Sequence, residues 1–368
     1  MTHIKTILLV FTILITSACA DNVEQGNNQQ PNRLEETTSA RLETDFNQNW
    51  LFTLDDKVNF NQVKYEDTHW RSLNLPHDWS VEFSFTKENA DGATGYLPGG
   101  IGWYRKHFKT PTSVHKKHYI NFDGIYNHAD VWINGKSLGK QVYGYSPFYF
   151  DITEHLNGQG EDNVIAVKVD RSRYIDSRWY TGSGIYRDVK LISTDTLHIP
   201  IWGTYVTTPN ISDKKADVQL SIEINNDDKK EQDFLVQTNI IAPSGNIVST
   251  GSIESIITAN SHTSVEQSFE INTPMRWDIE TPNLYKAVTQ LTKNGVVVDE
   301  FTTSFGIREI EFDANKGFFL NGKPLKIKGV NLHHDAGLVG AAVPDDVWRR
   351  RLVKLKAAGV NAIRTAHN

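Results

Sequence analysis

Apolar and polar positions alternate through most of the chain. Residues 218–224 alternate perfectly, and the same period recurs over residues 234–240 and, with a polar exception at Gln267, over residues 265–271. A period of two predicts strands that bury one face. Many short segments of this kind between turn signals predict a mainly β chain folded as sandwiches or jelly rolls.

Asn-Gly pairs mark several of the predicted turns. Residues 129–133 run into such a pair at 134–135, and the run 319–325 is interrupted by another at 321–322. A third lies at 294–295. Asn-Gly suits a two-residue hairpin because both central positions need a positive φ. We therefore expect antiparallel hairpins at these places.

The last part of the chain changes to a helical period over residues 345–358. Pro344 suits the start of a helix and Gly359 its end. The short apolar runs 326–331 and 360–364 flank this helix and are predicted strands. Such a β-α-β unit makes neighbouring parallel strands. The helix face that we expect to be buried carries Trp348, Leu352 and Leu355.

Polar clusters directly follow or end both predicted parallel strands. Because the carboxyl ends of parallel strands form the edge where ligands bind, we expect a site there. Its candidate residues are His333, His334, Asp335, Arg364, His367 and Asn368. A zinc site is disfavoured, since adjacent histidines on an extended chain point to opposite sides. Neutral or charged histidines can instead donate to hydroxyl groups of a ligand.

The motifs KGVNLHHDAG and AGVNAIRTAHN resemble the first two barrel strands of glycoside hydrolase family 2, the group of β-galactosidases, β-glucuronidases and β-mannosidases. The pair is most similar to bacterial β-galactosidases. The resemblance implies a (β/α)8 barrel in which His333, Arg364 and His367 line the sugar pocket. It also implies that Arg364 holds the nucleophile.

Further motifs resemble the two β domains that precede the barrel in this family. LPHDWS (75–80), GGIGWYRKHF (99–108) and RWYTGSGIYRDV (178–189) are similar to its jelly-roll sugar-binding domain. RWDIETPNLYKAV (276–288) is similar to its immunoglobulin-like sandwich. We therefore predict a jelly roll over residues 45–198, a sandwich over 199–308 and the beginning of a TIM barrel over 309–368.

Loops of the first domain reach towards the barrel pocket in the family. The resemblance therefore adds weaker candidates for substrate contact, namely Asp78, Trp79, Asp176, Arg178 and Trp179. Trp103 and Trp132 lie in strand patterns, and we expect them in the core because aromatic rings bring a large apolar area.

Residues 1–20 form a predicted export signal, with Lys5 followed by an apolar stretch and small residues. Thr16 to Cys19 resembles a bacterial lipobox, which would make Cys19 a lipidated first residue. Ordinary secretion after Ala20 is the alternative. Residues 21–44 are polar and predict a disordered tether. The protein is thus expected in the periplasm or cell envelope, held to the membrane only through a lipid.

The amino-acid composition excludes few classes of function. A hydrophobic content of 39% and a charged content of 22% fit a globular protein, and 368 residues predict two or three domains. The net charge of −6 argues against nucleic acid as a partner. No cofactor is identifiable, although a divalent or monovalent cation would fit the remainder of a barrel.

The chemistry of a retaining glycosidase needs two carboxyl groups about 5 to 5.5 Å apart. The resemblance places both glutamates after barrel strands four and seven, whereas this chain reaches strand two. A whole barrel takes about 250 residues. We therefore expect the chain alone to be inactive, as the leading part of a β-galactosidase that acts on β-linked oligosaccharides or galactosides. The alternatives are a non-catalytic sugar-binding surface lipoprotein, or β-glucuronidase or β-mannosidase specificity.

Overall fold

The computed structural model describes residues 40–57, 59–173 and 177–367. The predicted export signal with Cys19, most of the tether, Asp176 and Asn368 lie outside the described residues. The rest is organised as two β-sandwiches followed by a short segment that contains one β-α-β unit.

The first sandwich packs a six-stranded sheet, in the order β3-β2-β4-β9-β6-β7, against a four-stranded sheet, in the order β1-β10-β5-β8. Its strands are β1 Leu42–Asp45, β2 Trp50–Leu54, β3 Arg71–Leu73, β4 Gly100–Lys109, β5 Lys117–Phe122, β6 Ala129–Ile133, β7 Lys136–Gln141, β8 Phe148–Asp151, β9 Asp162–Arg171 and β10 Val189–Thr194. All pairings are antiparallel, as in a jelly roll or sandwich.

Strand β9 shows how the alternation builds two cores. Ile165, Val167 and Val169 are buried between the two sheets, as their spacing predicts. Ala166 faces the other side and packs with Trp103 in a smaller cluster. Trp132 stacks on Trp103 with ring centroids 5.3 Å apart, so the expectation that both tryptophans are structural is confirmed.

The predicted tether ends earlier than Thr44, which corrects the sequence-based boundary. Leu42–Asp45 forms β1 and pairs with β10. Immediately before it, the guanidinium of Arg41 donates to both carboxylate oxygens of Asp299 in the second sandwich, at 2.9 and 2.7 Å. Strand pairing and a buried ion pair therefore hold residues whose polar composition alone predicts disorder.

The second sandwich has two four-stranded sheets. One has the order β15-β14-β17-β18, and in the other β13 pairs with β11, β12 and β16. The strands are β11 Leu197–His198, β12 Thr204–Thr207, β13 Lys215–Asn226, β14 Gln232–Ile241, β15 Ile247–Ile257, β16 Ser261–Asn272, β17 Tyr285–Lys293 and β18 Val296–Phe305. The alternating residues 218–224 form a buried face, as predicted. The polar exception Gln267 is buried, and its amide donates to the carbonyl of Val236 at 3.2 Å.

The last segment begins with a small three-stranded sheet and ends in the predicted parallel pair. Its elements are β19 Ile310–Asp313, β20 Gly317–Leu320, β21 Lys323–Pro324, β22 Gly329–Leu332, α1 Asp345–Ala357 and β23 Ala362–Thr365. β22 and β23 pair in parallel, which confirms the β-α-β prediction. Short 3-10 turns occur at Trp79–Glu82, Thr153–His155 and Gly337–Val339.

Both parallel strands begin two or three residues later than predicted, and Asn361 explains the shift. Its side-chain oxygen accepts from the amide of Lys328 at 2.8 Å, and its side-chain nitrogen donates to the carbonyl of Lys326 at 3.0 Å. These contacts replace the strand ladder ahead of Gly329. At its other end, β22 stops directly before His333.

The predicted buried face of α1 is only partly covered by the described residues. Trp348 and Leu355 are half-buried and Leu352 is 45% exposed. Two cavities of about 750 and 660 Å³ adjoin this face. Of the three predicted core residues, Trp348 and Leu355 are therefore partly covered and Leu352 is open to solvent.

Candidate functional site

The two strand ends bring His333 and His367 together. Leu332 and Thr365 form the last pair of the parallel ladder, and each histidine lies just beyond it. The imidazole rings meet edge to face, with centroids 5.3 Å apart. A guanidinium nitrogen of Arg364 lies 3.4 Å from Nδ1 of His367. The register of one parallel pair thus joins residues that are more than thirty positions apart in the sequence.

Trp179 adds a third ring from the first sandwich. Its indole lies 4.9 Å from the ring of His367 and 6.3 Å from that of His333, measured between centroids. Its indole N–H donates to the hydroxyl of Tyr145 at 3.0 Å, which fixes the orientation of the ring. We call Trp179, His333 and His367 the ring cluster. An aromatic face beside donor nitrogens can stack on a sugar ring and donate to its hydroxyls.

His334 lies in a different environment from its neighbour. Its Nε2 donates to the carbonyl of Thr181 at 3.0 Å, and its ring packs between Tyr145 and Tyr186. Burial lowers the pKa of His334, and the nearby Thr181 carbonyl opposes this only in part. A neutral His334 therefore fastens the strand end to the first sandwich.

The remaining candidates are more open or make other contacts. Asp335 is half-buried, and its backbone carbonyl accepts from Arg351 at 2.6 Å. Arg364 and Arg178 are exposed to solvent. Arg364 thus stands beside the ring cluster with its fork of donors accessible, which suits a carboxylate.

Asp78 and Trp79 do not reach the open site, contrary to the sequence-based expectation. Trp79 is fully buried in the core of the first sandwich, stacked on Phe52 with centroids 5.7 Å apart. Asp78 is 3% exposed, and burial raises the pKa of its carboxyl group against four hydrogen bonds from the protein. The irregular loop that contains them concealed this burial, because loops lack the alternation that reveals a buried face.

A cavity of about 750 Å³ adjoins His333 and His334. Acidic side chains outnumber basic ones in its lining, which includes Asp123, Asp188 and Asp345 beside Arg187. This charge favours a neutral or cationic ligand over an anionic one.

Sequence reasoning missed the two tyrosines that support the site. Tyr145 holds Trp179, and Tyr186 packs on His334 while its hydroxyl donates to the carbonyl of Gly144 at 2.9 Å. Tyr186 lies in the motif of residues 178–189 that the sequence analysis singled out by resemblance, but nothing in the local pattern separates a supporting tyrosine from a core one.

In the part of the chain that the structure describes, no group of three or more His, Cys, Asp or Glu side chains is placed to hold a metal ion. Within the same residues no helix has the length and apolar character needed to cross a membrane.

Three family models match consecutive parts of the chain. The sugar binding domain of glycosyl hydrolases family 2 matches residues 44–195, the family 2 model matches 198–308, and the TIM barrel domain of family 2 matches 312–368.

Curated relatives and solved structures agree with these matches. The chain is 42% identical to the β-galactosidase BoGH2A of Bacteroides ovatus, over 90% of this chain and 39% of that protein. It is 40% identical to a putative β-glucuronidase of Formosa agariphila, over 90% of this chain and 31% of that protein. A β-glycosidase structure from Bacteroides vulgatus superposes with a TM-score of 0.83 at 42% identity, covering 89% of this chain and 42% of that one. The chain thus spans less than half the length of these relatives.

Proposed function

Since this chain belongs to glycosyl hydrolase family 2, we propose that it forms the sugar-binding wall of a retaining β-galactosidase. The observation that carries the proposal is the ring cluster, in which a tryptophan from the first sandwich meets histidines from the ends of two parallel strands. These are the side chains that a neutral sugar needs, a flat apolar face bordered by hydrogen-bond donors.

Each residue of the wall has a distinct task. The indole of Trp179 packs on the apolar face of the sugar, and His333 and His367 donate to its hydroxyl groups. Arg364 offers a fork of donors at the end of β23, matched to a carboxylate. The resemblance assigns that carboxylate to the nucleophile, and it places both catalytic glutamates after later barrel strands. We therefore assign binding and orientation, and no catalytic carboxylate, to the residues described here.

A β-glucuronidase is the second candidate. The accessible guanidinium of Arg364 would equally attract the carboxylate of a uronic acid, and relatives named as β-glucuronidases support this alternative. The acidic lining of the adjoining cavity favours the neutral sugar.

The proposal is tested by His367→Ala in a protein that contains the complete barrel. Loss of a donor to the sugar in the transition state should lower kcat/KM for an aryl β-galactoside by about 10- to 100-fold. His262→Ala, at an exposed histidine of β16, is the matched control and should leave kcat/KM unchanged.

Steady-state kinetics on aryl β-galactosides, β-glucuronides and β-mannosides complete the test. A preference of the unsubstituted enzyme for glucuronides or mannosides would reject the β-galactosidase assignment. An unchanged kcat/KM in His367→Ala would remove His367 from the sugar-binding wall.

A further inference from the structure

The carboxylate of Asp78 is buried where the first sandwich meets the segment that follows β22. One oxygen accepts from the backbone amides of Ser80 and Ser183, at 3.1 and 2.9 Å. The other accepts from the hydroxyl of Tyr180 at 2.6 Å and from the backbone amide of Ala341 at 2.8 Å. Three of the donors belong to the first sandwich, and the fourth belongs to the β-α-β unit.

Two glycines allow the loops to approach this carboxylate. Gly340 has a φ of +58°, and a Cβ there would lie 2.2 Å from an oxygen of Asp78. A Cβ on Gly182, with a φ of +75°, would lie 2.5 Å from Cβ of Ala341. Any side chain at either position would separate the two loops.

Both loops held by Asp78 also carry the ring cluster. Trp179 immediately precedes Tyr180, the hydroxyl donor to Asp78. His333 begins the segment that ends at Ala341, the amide donor. Between these points, His334 adds a second connection through the carbonyl of Thr181. The distance between Trp179 and His333 therefore depends on a junction centred on one buried side chain.

We propose that Asp78 is a positioning residue that locks the loop of residues 177–184 to the segment of residues 333–341 and so sets the geometry of the ring cluster. It touches no sugar itself. Its importance for sugar binding rests on the function proposed above, whereas its role in joining the two loops does not.

The chemistry of the junction requires a carboxylate. Four donors point at Asp78, and an ionised carboxyl group offers acceptors only. An asparagine with its oxygen towards Ser80 and Ser183 would present its NH₂ group to Tyr180 and Ala341. The tyrosine hydroxyl can rotate to accept, but the amide of Ala341 cannot. Asp78→Asn therefore preserves the fold of the turn and breaks the hydrogen bond by which Asp78 reaches the β-α-β unit.

Hydrogen exchange on the 368-residue chain tests the junction directly. In Asp78→Asn we expect peptides within residues 336–343 to exchange at least about tenfold faster, while peptides from β9 and β13 keep their rates. Asp91→Asn is the matched control. Asp91 caps a turn of the same sandwich through the amides of Ala93 and Thr94, and its substitution should leave residues 336–343 unchanged.

A second readout links the junction to the ring cluster. In the protein with a complete barrel, Asp78→Asn should raise KM for a β-galactoside by about tenfold and change kcat less, because the wall is displaced and no reacting group is removed. Tyr180→Phe removes the hydroxyl that helps to hold the Asp78 oxygen against the amide of Ala341, so it should weaken that contact and give a smaller increase in both exchange and KM. If Asp78→Asn does not fold, Tyr180→Phe alone decides, and wild-type exchange rates in that variant would overturn the proposal.

The two proposals fail separately. Faster exchange in Asp78→Asn together with no β-galactoside turnover by the unsubstituted enzyme would reject the proposed function and keep the junction. Normal exchange over residues 336–343 in Asp78→Asn would overturn the junction even if β-galactosides are cleaved.

Discussion

Two neighbouring histidines of the candidate site have different surroundings and different roles. His333 and His334 are adjacent, yet one joins an open ring cluster while the other is bonded to Thr181 and kept neutral by burial. An extended chain sends successive side chains to opposite sides, so two identical residues meet different surroundings.

The buried ion pair between Arg41 and Asp299 also depends on its surroundings. The side chains are 6% and 0% exposed, and Asp299 also accepts from the amide of Ile199 at 2.7 Å. We predict that Arg41→Ala lowers the free energy of unfolding by about 3 to 5 kcal/mol, because a charged Asp299 would remain buried without its partner.

Urea denaturation followed by tryptophan fluorescence measures this loss. Lys109→Ala is the control, since the Lys109–Asp162 pair is largely exposed and should contribute at most about 1 kcal/mol. If the two variants lose the same free energy of unfolding, the buried Arg41–Asp299 pair contributes no more to stability than an exposed pair, and the prediction is wrong.

At the scale of elements, the Asn-Gly pairs predict where hairpins turn, but they do not predict which hydrogen bonds a turn makes with the rest of the protein. Asn134 and Gly135 adopt φ values of +50° and +78°, as a two-residue hairpin requires. Asn294 and Gly295 adopt almost the same values, +52° and +76°. Only tertiary contacts distinguish the two turns.

The side chain of Asn134 connects its hairpin to β9. It donates to the carbonyl of His155 at 2.8 Å and accepts from the amide of Val164 at 2.9 Å. We predict that Asn134→Ala costs about 2 kcal/mol more than Asn294→Ala, because it leaves two part-buried backbone groups without these hydrogen bonds. Asn294 is exposed, so its substitution removes mainly turn preference.

Chemical denaturation of both variants tests this prediction, with Gly135→Ala and Gly295→Ala as controls. Both glycine substitutions should cost about 1 kcal/mol because of the positive φ. If the two asparagine variants lose the same stability, the contacts of Asn134 with His155 and Val164 contribute nothing beyond the turn.

At the scale of the whole molecule, buried histidines make stability depend on pH. Burial lowers the pKa of His77, His118, His198 and His334 in the folded protein. In the unfolded chain these groups titrate near about 6.5. As the pH falls below that value the unfolded chain binds more protons than the folded one, so stability decreases.

We therefore predict that the urea midpoint falls steadily between about pH 7.5 and 5.5, a range that brackets the ordinary histidine pKa of about 6.5. His118→Gln should flatten the dependence, whereas His262→Gln, at an exposed position, should leave it unchanged. A midpoint that stays constant or rises on acidification would contradict this reasoning.

Periodicity and turn residues determined much of the architecture on their own. The alternation over residues 218–224, the Asn-Gly turns and the helical period near Trp348 each reflect the local conformation of the backbone, which places side chains at a fixed spacing that the sequence records directly. Helix and strand types were therefore predictable, while the starts of β22 and β23 were not, because the side chain of Asn361 replaces part of the ladder.

The sequence by itself also predicted that polar residues after the two parallel strands meet at one edge, and His333 and His367 do so in the ring cluster. Only the tertiary structure decided which loop of the first sandwich completes it. Trp179 enters the ring cluster, whereas Trp79 fills the core and Asp78 lies at the centre of the junction. The contacts of Trp179 with His367 and of Asp78 with Ala341 join residues that are more than a hundred positions apart, and no local pattern encodes such distances.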